Sequence, residues 1–323
     1  MTLPYLIRLL CLSLAAFFLI HLTLGLIVSL IAPAAIRVAE RSRPRWAARF
    51  LLILRMLPSG MSLFVVAGLC VPSYFQLEPE ATAERVGVAC FAAALLGLII
   101  WAISISRGVR ASAHSLRYIR QCGRMGRQRR LAGGRSPIWV IESAGHVLAL
   151  AGVMRPRLVV SRDVVSALSP RELAAALRHE RAHRTSRDNF KRLLMLLTPG
   201  ILPFFRGFEA LERGWSKFTE WAADDTAVAG NSRRSLALAA ALVRVARLGA
   251  APQPTLLMTS LLGGAQDLSA RVDRLLHPAP QPERKTPILI VTASFLLSGS
   301  LVAVVVQPST FHSVHQILEH LIR

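Results

Sequence analysis

Four apolar runs, at residues 9–35, 51–71, 86–105 and 286–306, are each long enough to cross a hydrocarbon layer, which takes about 20 residues of helix. Inside lipid no water is available to satisfy backbone N–H and C=O groups, so each run must satisfy its own as a helix. This commits the chain to a multi-pass membrane architecture. The first run is far longer than the roughly 7–15 apolar residues of a secretory signal, so it reads as a spanning helix.

Composition agrees. Hydrophobic residues make up 53% of the chain and charged residues only 18%, yet the formal net charge is +21. Soluble domains carry about a quarter charged residues. Apolar blocks joined by arginine-rich connections exclude a disordered chain and an ordinary soluble globule. The four cysteines, Cys11, Cys70, Cys90 and Cys122, lack both framework and metal-ligand spacing.

Connection charges set the expected orientation. Between the first two runs lie Arg37, Arg41, Arg43, Arg45 and Arg49 against Glu40; between the second and third lie Glu78, Glu80 and Glu84 against Arg85. After the third, the arginines from Arg107 to Arg135 face no acid. Basic short loops remain in the cytoplasm. The N-terminus is therefore expected outside a bacterial-type inner membrane, residues 107–285 inside, and the tail 307–323 outside; Arg8 alone opposes this. Beside a bilayer, the basic run 124–130 reads as an anchor to anionic headgroups. No aromatic residues interleave with it for base stacking, so direct nucleic-acid binding is not expected. His21, within the first run, reads as a neutral histidine bonded to a neighbouring helix.

Residues 107–285 suffice for one soluble domain. Ile138–Ile141 and Arg157–Ser161 are β-prone, the second preceded by a turn-like 152–156, while 249–267 reads as a loop. Ser169-Pro170-Arg171-Glu172 is a capping box with proline at the first helical position. The helix it opens carries a stripe of Leu173, Ala176 and Leu177 that runs into His179-Glu180-Arg181-Ala182-His183. His179 and His183 project from the same face one turn apart, and neutral imidazole is a good zinc ligand. Glu180 is rotated to where a carboxylate can reach water activated at the ion. A chance HExxH arises in roughly one chain in a hundred of this length; the capped helix and the acids downstream make coincidence a weaker explanation.

A third ligand is expected from another helix. Glu220-Trp221-Ala222-Ala223-Asp224 places two carboxylates four apart on one face: Glu220 as the ligand and Asp224 as the group orienting a ligand histidine. Glu209 and Glu212 compete for the first role and Asp225 for the second. The bland alternative is a solvated face paired with Arg213 or Lys217. His114, His146 and His277 lack metal spacing and read as structural.

These residues resemble the integral-membrane zinc peptidases of the β-lactam-sensing transducers BlaR and MecR. The resemblance runs from Gly152 through RLVVS, HERAH and Asp188 (the spacing HExxH-xxxx-D), the apolar segment 193–205 and the Glu220 motif to RVDRLL at 271–276. EWAAD is also similar to the ExxxD of the Ste-type and heat-shock membrane metalloproteases. The resemblance implies a multi-pass α-helical membrane protein with three spans in residues 1–106, then a mainly α, α+β gluzincin-like zinc peptidase domain at 107–285, then the fourth span. One Zn²⁺ is implied, with Glu180 as base. The implied partners are protein or peptide substrates (a transcriptional repressor among the candidates) and the bilayer, with homo-oligomerisation left open. In gluzincins an edge strand binds substrate as an added strand; Leu158, Val159 and Val160 are the candidates here, against ordinary internal sheet pairing. Arg213 and Arg181 are candidate oxyanion donors. The segment 193–205, broken by Pro199, Gly200 and Pro203, lies at the membrane interface, re-enters the membrane beneath the active site, or forms a buried hairpin. The transducers carry an external penicillin-binding domain after the fourth span; residues 307–323 hold no SxxK motif, so β-lactam acylation is not expected. A transporter is disfavoured, since His21 is the one polar intramembrane residue this reading identifies.

A reporter fused after Arg130 should read as cytoplasmic; a periplasmic signal would overturn the orientation.

Overall fold

The computed structural model describes residues 5–77, 86–129, 138–142, 147–200, 206–249, 257–261, 268–277 and 316. Helix α1 (Tyr5–Glu40) is followed by α2 (Pro44–Val65), which runs through one π-helical turn at Val66–Cys70 into α3 (Val71–Leu77), and then by α4 (Val88–Met125). By length and composition, Tyr5–Glu40, Pro44–Leu77 and Val88–Met125 are three helices able to cross a membrane. They contain the first three apolar runs but for Val86 and Gly87, and they extend beyond them into the arginine-rich connections. The expected fourth span at 286–306 lies outside the described residues.

Small residues let these helices approach closely, as expected where lipid removes the hydrophobic drive between them. A Cβ at Gly97 of α4 would lie 2.7 Å from the Leu14 carbonyl oxygen of α1. His21 is buried, stacked on Phe17 at 5.6 Å, with its Nδ1 3.5 Å from Ser59 Oγ of α2.

A five-stranded sheet follows: β1 (Arg127–Arg129), β2 (Ile138–Ile141), β3 (Leu148–Ala151), β4 (Arg157–Ser161) and β5 (Met258–Ser260), in the order β1-β2-β4-β3-β5. β2 and β4 are parallel and the other neighbours antiparallel. One sequence expectation changes here: β5 lies inside the expected loop 249–267, while β1 adds a strand within the basic run 124–130. Both are three-residue edge strands, made by backbone pairing rather than by a side-chain pattern. β3 shows no alternation because all four of its residues are buried.

The remaining helices are α5 (Arg162–Ala167), α6 (Pro170–Ser186), α7 (Asp188–Leu197), α8 (Arg206–Val228), α9 (Ser232–Arg247) and α10 (Leu268–Leu276). The capping box forms: Ser169 N–H donates to Glu172 Oε2 at 2.8 Å, and Glu172 N–H to Ser169 Oγ at 3.4 Å. The stripe Leu173, Ala176 and Leu177 packs with Val160, Leu238 and Leu242 in the domain core. At Arg187 the chain enters the left-handed region (φ 55°), which ends α6 and starts α7 at once. Asn189 then donates to the carbonyls of Leu150 and Gly152, tying α7 to the end of β3. Of the segment 193–205, residues 193–197 complete α7, and 201–205 lie outside the described residues.

Helix α8 docks on the α1–α2 hairpin. Phe208, Leu211, Trp215 and Phe218 fill a trough lined by Ala32, Ala35, Ala39, Ala47 and Ala48. At its start, Gly207 N–H donates to Ser29 Oγ at 2.9 Å. Arg55, inside the second apolar run, is also buried here: its Nε donates to Glu212 Oε1 at 2.8 Å and its guanidinium lies 4.4 Å from the Phe208 ring centroid. His21 is therefore joined by a second ionisable residue within the apolar runs.

A Cβ at Gly207 would lie 2.5 and 2.6 Å from the Cα and O of Ser29, whereas nothing lies within 4 Å of one at Gly60. Gly207→Ala is expected to cost about 1–3 kcal/mol, lowering the unfolding midpoint in detergent by roughly 3–8 °C. Gly60→Ala is expected to leave it unchanged. Equal midpoints for the two variants would contradict this packing.

Candidate metal centre

Four helices, α6, α7, α8 and α10, meet at one buried point. A rigid, capped α6 offers His179 and His183 from one face, with ring centroids 4.7 Å apart and planes at 82°. Their Nε2 atoms are 3.0 Å apart. From α8, Glu220 Oε2 lies 3.3 Å from His179 Nε2, and Oε1 lies 3.6 Å from His183 Nε2. One ligand atom from each of the three lies within 4.8 Å of the others, and all three residues are buried.

The remaining ring nitrogens meet carboxylates. His179 Nδ1 is 2.9 Å from Asp224 Oδ1, and His183 Nδ1 is 2.8 Å from Asp188 Oδ2. In the neutral imidazoles a carboxylate at Nδ1 would hold the proton there and leave Nε2 as the metal-ligating atom. Lys191 Nζ in turn donates to Asp188 Oδ1 at 2.8 Å. Arg271 of α10 grips Asp224 with two bonds, Nη2 to Oδ1 at 2.7 Å and Nε to Oδ2 at 2.9 Å. Its Nη1 donates to the Leu261 carbonyl at 2.8 Å and lies 3.2 Å from Glu220 Oε2.

Electrostatics follow from these contacts. Burial opposes charge on His183, but the Glu220 charge and the Asp188 hydrogen bond raise its pKa to about 10. His179 is raised against the same burial by Asp224 and Glu220. Glu220, despite burial, is held well below the usual carboxylate range by His183 and Arg271. The cluster therefore favours positive charge between the imidazoles and Glu220. Burial pushes Glu180 the other way, up to about 7, and neither of its carboxylate oxygens has a hydrogen-bond partner among the described residues.

These residues fit a divalent cation. Ligands at about 2.0–2.2 Å in a tetrahedron stand roughly 3.3–3.5 Å apart, close to the separations here. A buried carboxylate with neither oxygen bonded, as at Glu180, is costly unless something else engages it. Beside Glu180 and His183 opens a cleft of about 880 Å³.

The family model described as BlaR1 peptidase M56 matches residues 80–275, from before α4 to the end of α10. The chain belongs to this family. The motif-based resemblance to the BlaR and MecR peptidases thus holds, and with it a metal-dependent peptidase assignment. No curated protein matches the chain.

Within this M56 peptidase, the structure brings together His179, Glu180, His183, Glu220 and Asp224 and places the rivals elsewhere. Glu209 is exposed beside Arg213, Glu212 holds Arg55, and Asp225 pairs with Arg274 at 2.6 Å. Lys217 lies 3.8 Å from Glu40 rather than beside Glu220. Arg213, 72% exposed, is not at the site; Arg181 lines the cleft. The expected substrate edge on β4 is corrected. β4 is flanked by β2 and β3, so its backbone has no open edge, and Val159 and Val160 are buried within the sheet. Leu158 does line the cleft. His114 is exposed, His277 is bonded to Asp273, and His146 lies outside the described residues.

Sequence reasoning missed Arg271, which it used only as part of a motif. Its signal is positional: Arg271 shares the buried face of α10 with Leu275, so a charge occupies a core position and needs a buried acid. Arg271→Leu strands Asp224 and Glu220, and is expected to cost about 3–5 kcal/mol of domain stability, read as earlier loss of α10 and β5 protection in hydrogen exchange. Unaltered exchange there would mean that this ion pair does not hold the site together.

Proposed function

We propose that the chain is a membrane-embedded, zinc-dependent endopeptidase of the HExxH-plus-glutamate type, acting on cytoplasmic or membrane-proximal proteins in regulatory proteolysis. The observation that carries this reading is the convergence of His179, His183 and Glu220 beside a buried, unbonded Glu180 at the wall of a cleft. In this reading residues 107–285 form the cytoplasmic catalytic domain, between three preceding spans and a fourth at 286–306.

His179 and His183 through Nε2, and Glu220 through its carboxylate, would hold the zinc, with Asp224 and Asp188 fixing the two imidazoles. When bound, zinc supplies Lewis acidity, polarising the scissile carbonyl and acidifying a water towards neutrality. Glu180 takes the proton from the attacking water on a carboxylate oxygen and passes it to the leaving amine. Burial raises the Glu180 carboxyl above its ordinary value, the direction that suits a group taking and returning a proton near neutral pH. Glu180 is buried at the cleft wall, which strengthens its local charge interactions. A non-proteolytic signalling scaffold built on the same domain would need the ion but not Glu180, whose desolvation has no structural compensation among the described residues.

Glu180→Gln is expected to lower cleavage at least about 100-fold while metal analysis still finds one zinc per chain. Glu220→Ala is expected to lose the metal as well. Comparing cellular protein N-termini between the native chain and Glu180→Gln would identify the substrate; identical N-termini would leave the scaffold reading standing, and full metal occupancy in Glu220→Ala would move the third ligand elsewhere.

A further inference from the structure

The cleft at Glu180 has an unusual wall. Arg155 and Arg157 come from the turn before β4 and its first residue, Arg181 and Arg184 from the outward side of α6, and Arg187 from the junction of α6 and α7. The acids lining the same cleft are Glu180 and Asp188, both buried, and Asp188 already faces His183 and Lys191. Elsewhere in the domain, Arg162, Arg213, Arg244, Arg271 and Arg274 each face a carboxylate within 4.0 Å. Among the described residues, none of Arg155, Arg157, Arg181 and Arg187 pairs with one. Arg157 is instead set over the Trp139 ring, 5.1 Å from its centroid, which fixes one cation on the cleft's apolar floor. Trp139, Leu158 and Phe190 supply that floor.

Several cations around a partly enclosed cavity reinforce one another, because low-dielectric walls focus the field into the opening. Arginine is the cation suited to the job, since its planar fork binds a carboxylate through two parallel bonds. A lysine- or arginine-rich segment would be repelled from such a cleft. A segment with acidic side chains flanking an apolar one would match both the rim and the floor.

We propose that this cleft selects acidic segments of protein substrates, with Arg155, Arg157, Arg181 and Arg187 as specificity determinants that receive Asp or Glu side chains on either side of an apolar residue. The proposal rests on the peptidase reading of the same site and names its substrate class. Exposed Arg–carboxylate pairs are individually weak, so two or three of them together amount to a preference of about tenfold, which is about 1.4 kcal/mol.

The test uses the full chain in phosphatidylcholine nanodiscs and three fluorogenic peptides of one length and one central leucine, flanked by Glu, by Gln or by Lys. Cleavage is measured with the native chain, and binding by fluorescence anisotropy with Glu180→Gln. The Glu peptide is expected to bind and be cleaved about tenfold better than the Gln peptide, with the Lys peptide poorest. The gap should close at high salt and in the double variant Arg155→Gln, Arg187→Gln, where the Glu-to-Gln ratio falls towards one. Equal handling of the three peptides, a preference for Lys, or no binding of any of them overturns the proposal. Cleavage without charge preference refutes the proposal alone. Charge-selective binding with no cleavage by the native chain refutes the peptidase reading alone. If the preference vanishes when phosphatidylglycerol replaces part of the nanodisc lipid, the arginines serve lipid headgroups, and the proposal also fails.

Discussion

The carboxylates of Glu220 and Asp224 are taken out of water together, and this is tolerable because Arg271 is buried against both. Burying an ion alone costs several kcal/mol; burying it in a bonded network removes most of that penalty and makes every member depend on the others. With Glu180 ionised, the cluster holds four carboxylates against the fixed cations Arg271 and Lys191. The two imidazoles can take up the difference as protons, or stay neutral around a divalent ion. That residual negative charge links the network to the metal chemistry: the same field that raises His179 and His183 would retain a cation between them.

Helix α8 carries this chemistry on one side and the membrane contact on the other. Glu220 and Asp224 each lie nine residues beyond Leu211 and Trp215, which is about 180° round an α-helix. Leu211 and Trp215 sit in the alanine-lined trough of α1 and α2, while Glu220 faces α6. A rotation or slide of α8 in that trough therefore moves the Glu220 carboxylate relative to the two histidines. The close contact at Gly207 and Ser29 restricts the slide. Well-packed interfaces do not deform continuously, so the hairpin holds the Glu220 carboxylate in one position.

Parts of this arrangement were legible in the sequence because they obey local rules. The capping box at Ser169, the four-residue spacing of His179 and His183, and that of Glu220 and Asp224 are all properties of a single helix, readable without knowing what lies opposite. The membrane runs are legible for the same reason: lipid imposes its demand segment by segment. What escaped depends on partners distant in sequence. β1 and β5 exist because β2 and β3 offer them backbone partners, and neither has a side-chain pattern of its own. Reading β4 as an edge failed because edge or centre is a property of sheet order, and β3, buried on both faces, showed no alternation to announce itself. Arg271 serves residues some fifty positions away, and only its place on the buried face of a short helix hinted at it.

Arg55 fits the same logic and refines where the second span begins. A charge within an apolar run is expensive at the middle of a bilayer. Here its Nε meets Glu212, its Nη groups lie 3.5 Å from Thr198 Oγ1 and the Met195 carbonyl, and Phe208 covers its face. All of these partners belong to α7, α8 or the turn after α7, so the face of α2 that carries Arg55 is covered by the domain that follows the apolar helices. Residues 56–77 remain beyond it, about 33 Å of helix, still enough to cross the hydrocarbon layer. The apolar run starting at Leu51 therefore has a first turn that serves as the floor for α8, and a remainder long enough to span. A polar residue of this kind, satisfied entirely by the neighbouring domain, gives no support to a transport path. It is better understood as a fastener between the helix that carries Glu220 and the membrane hairpin beneath it.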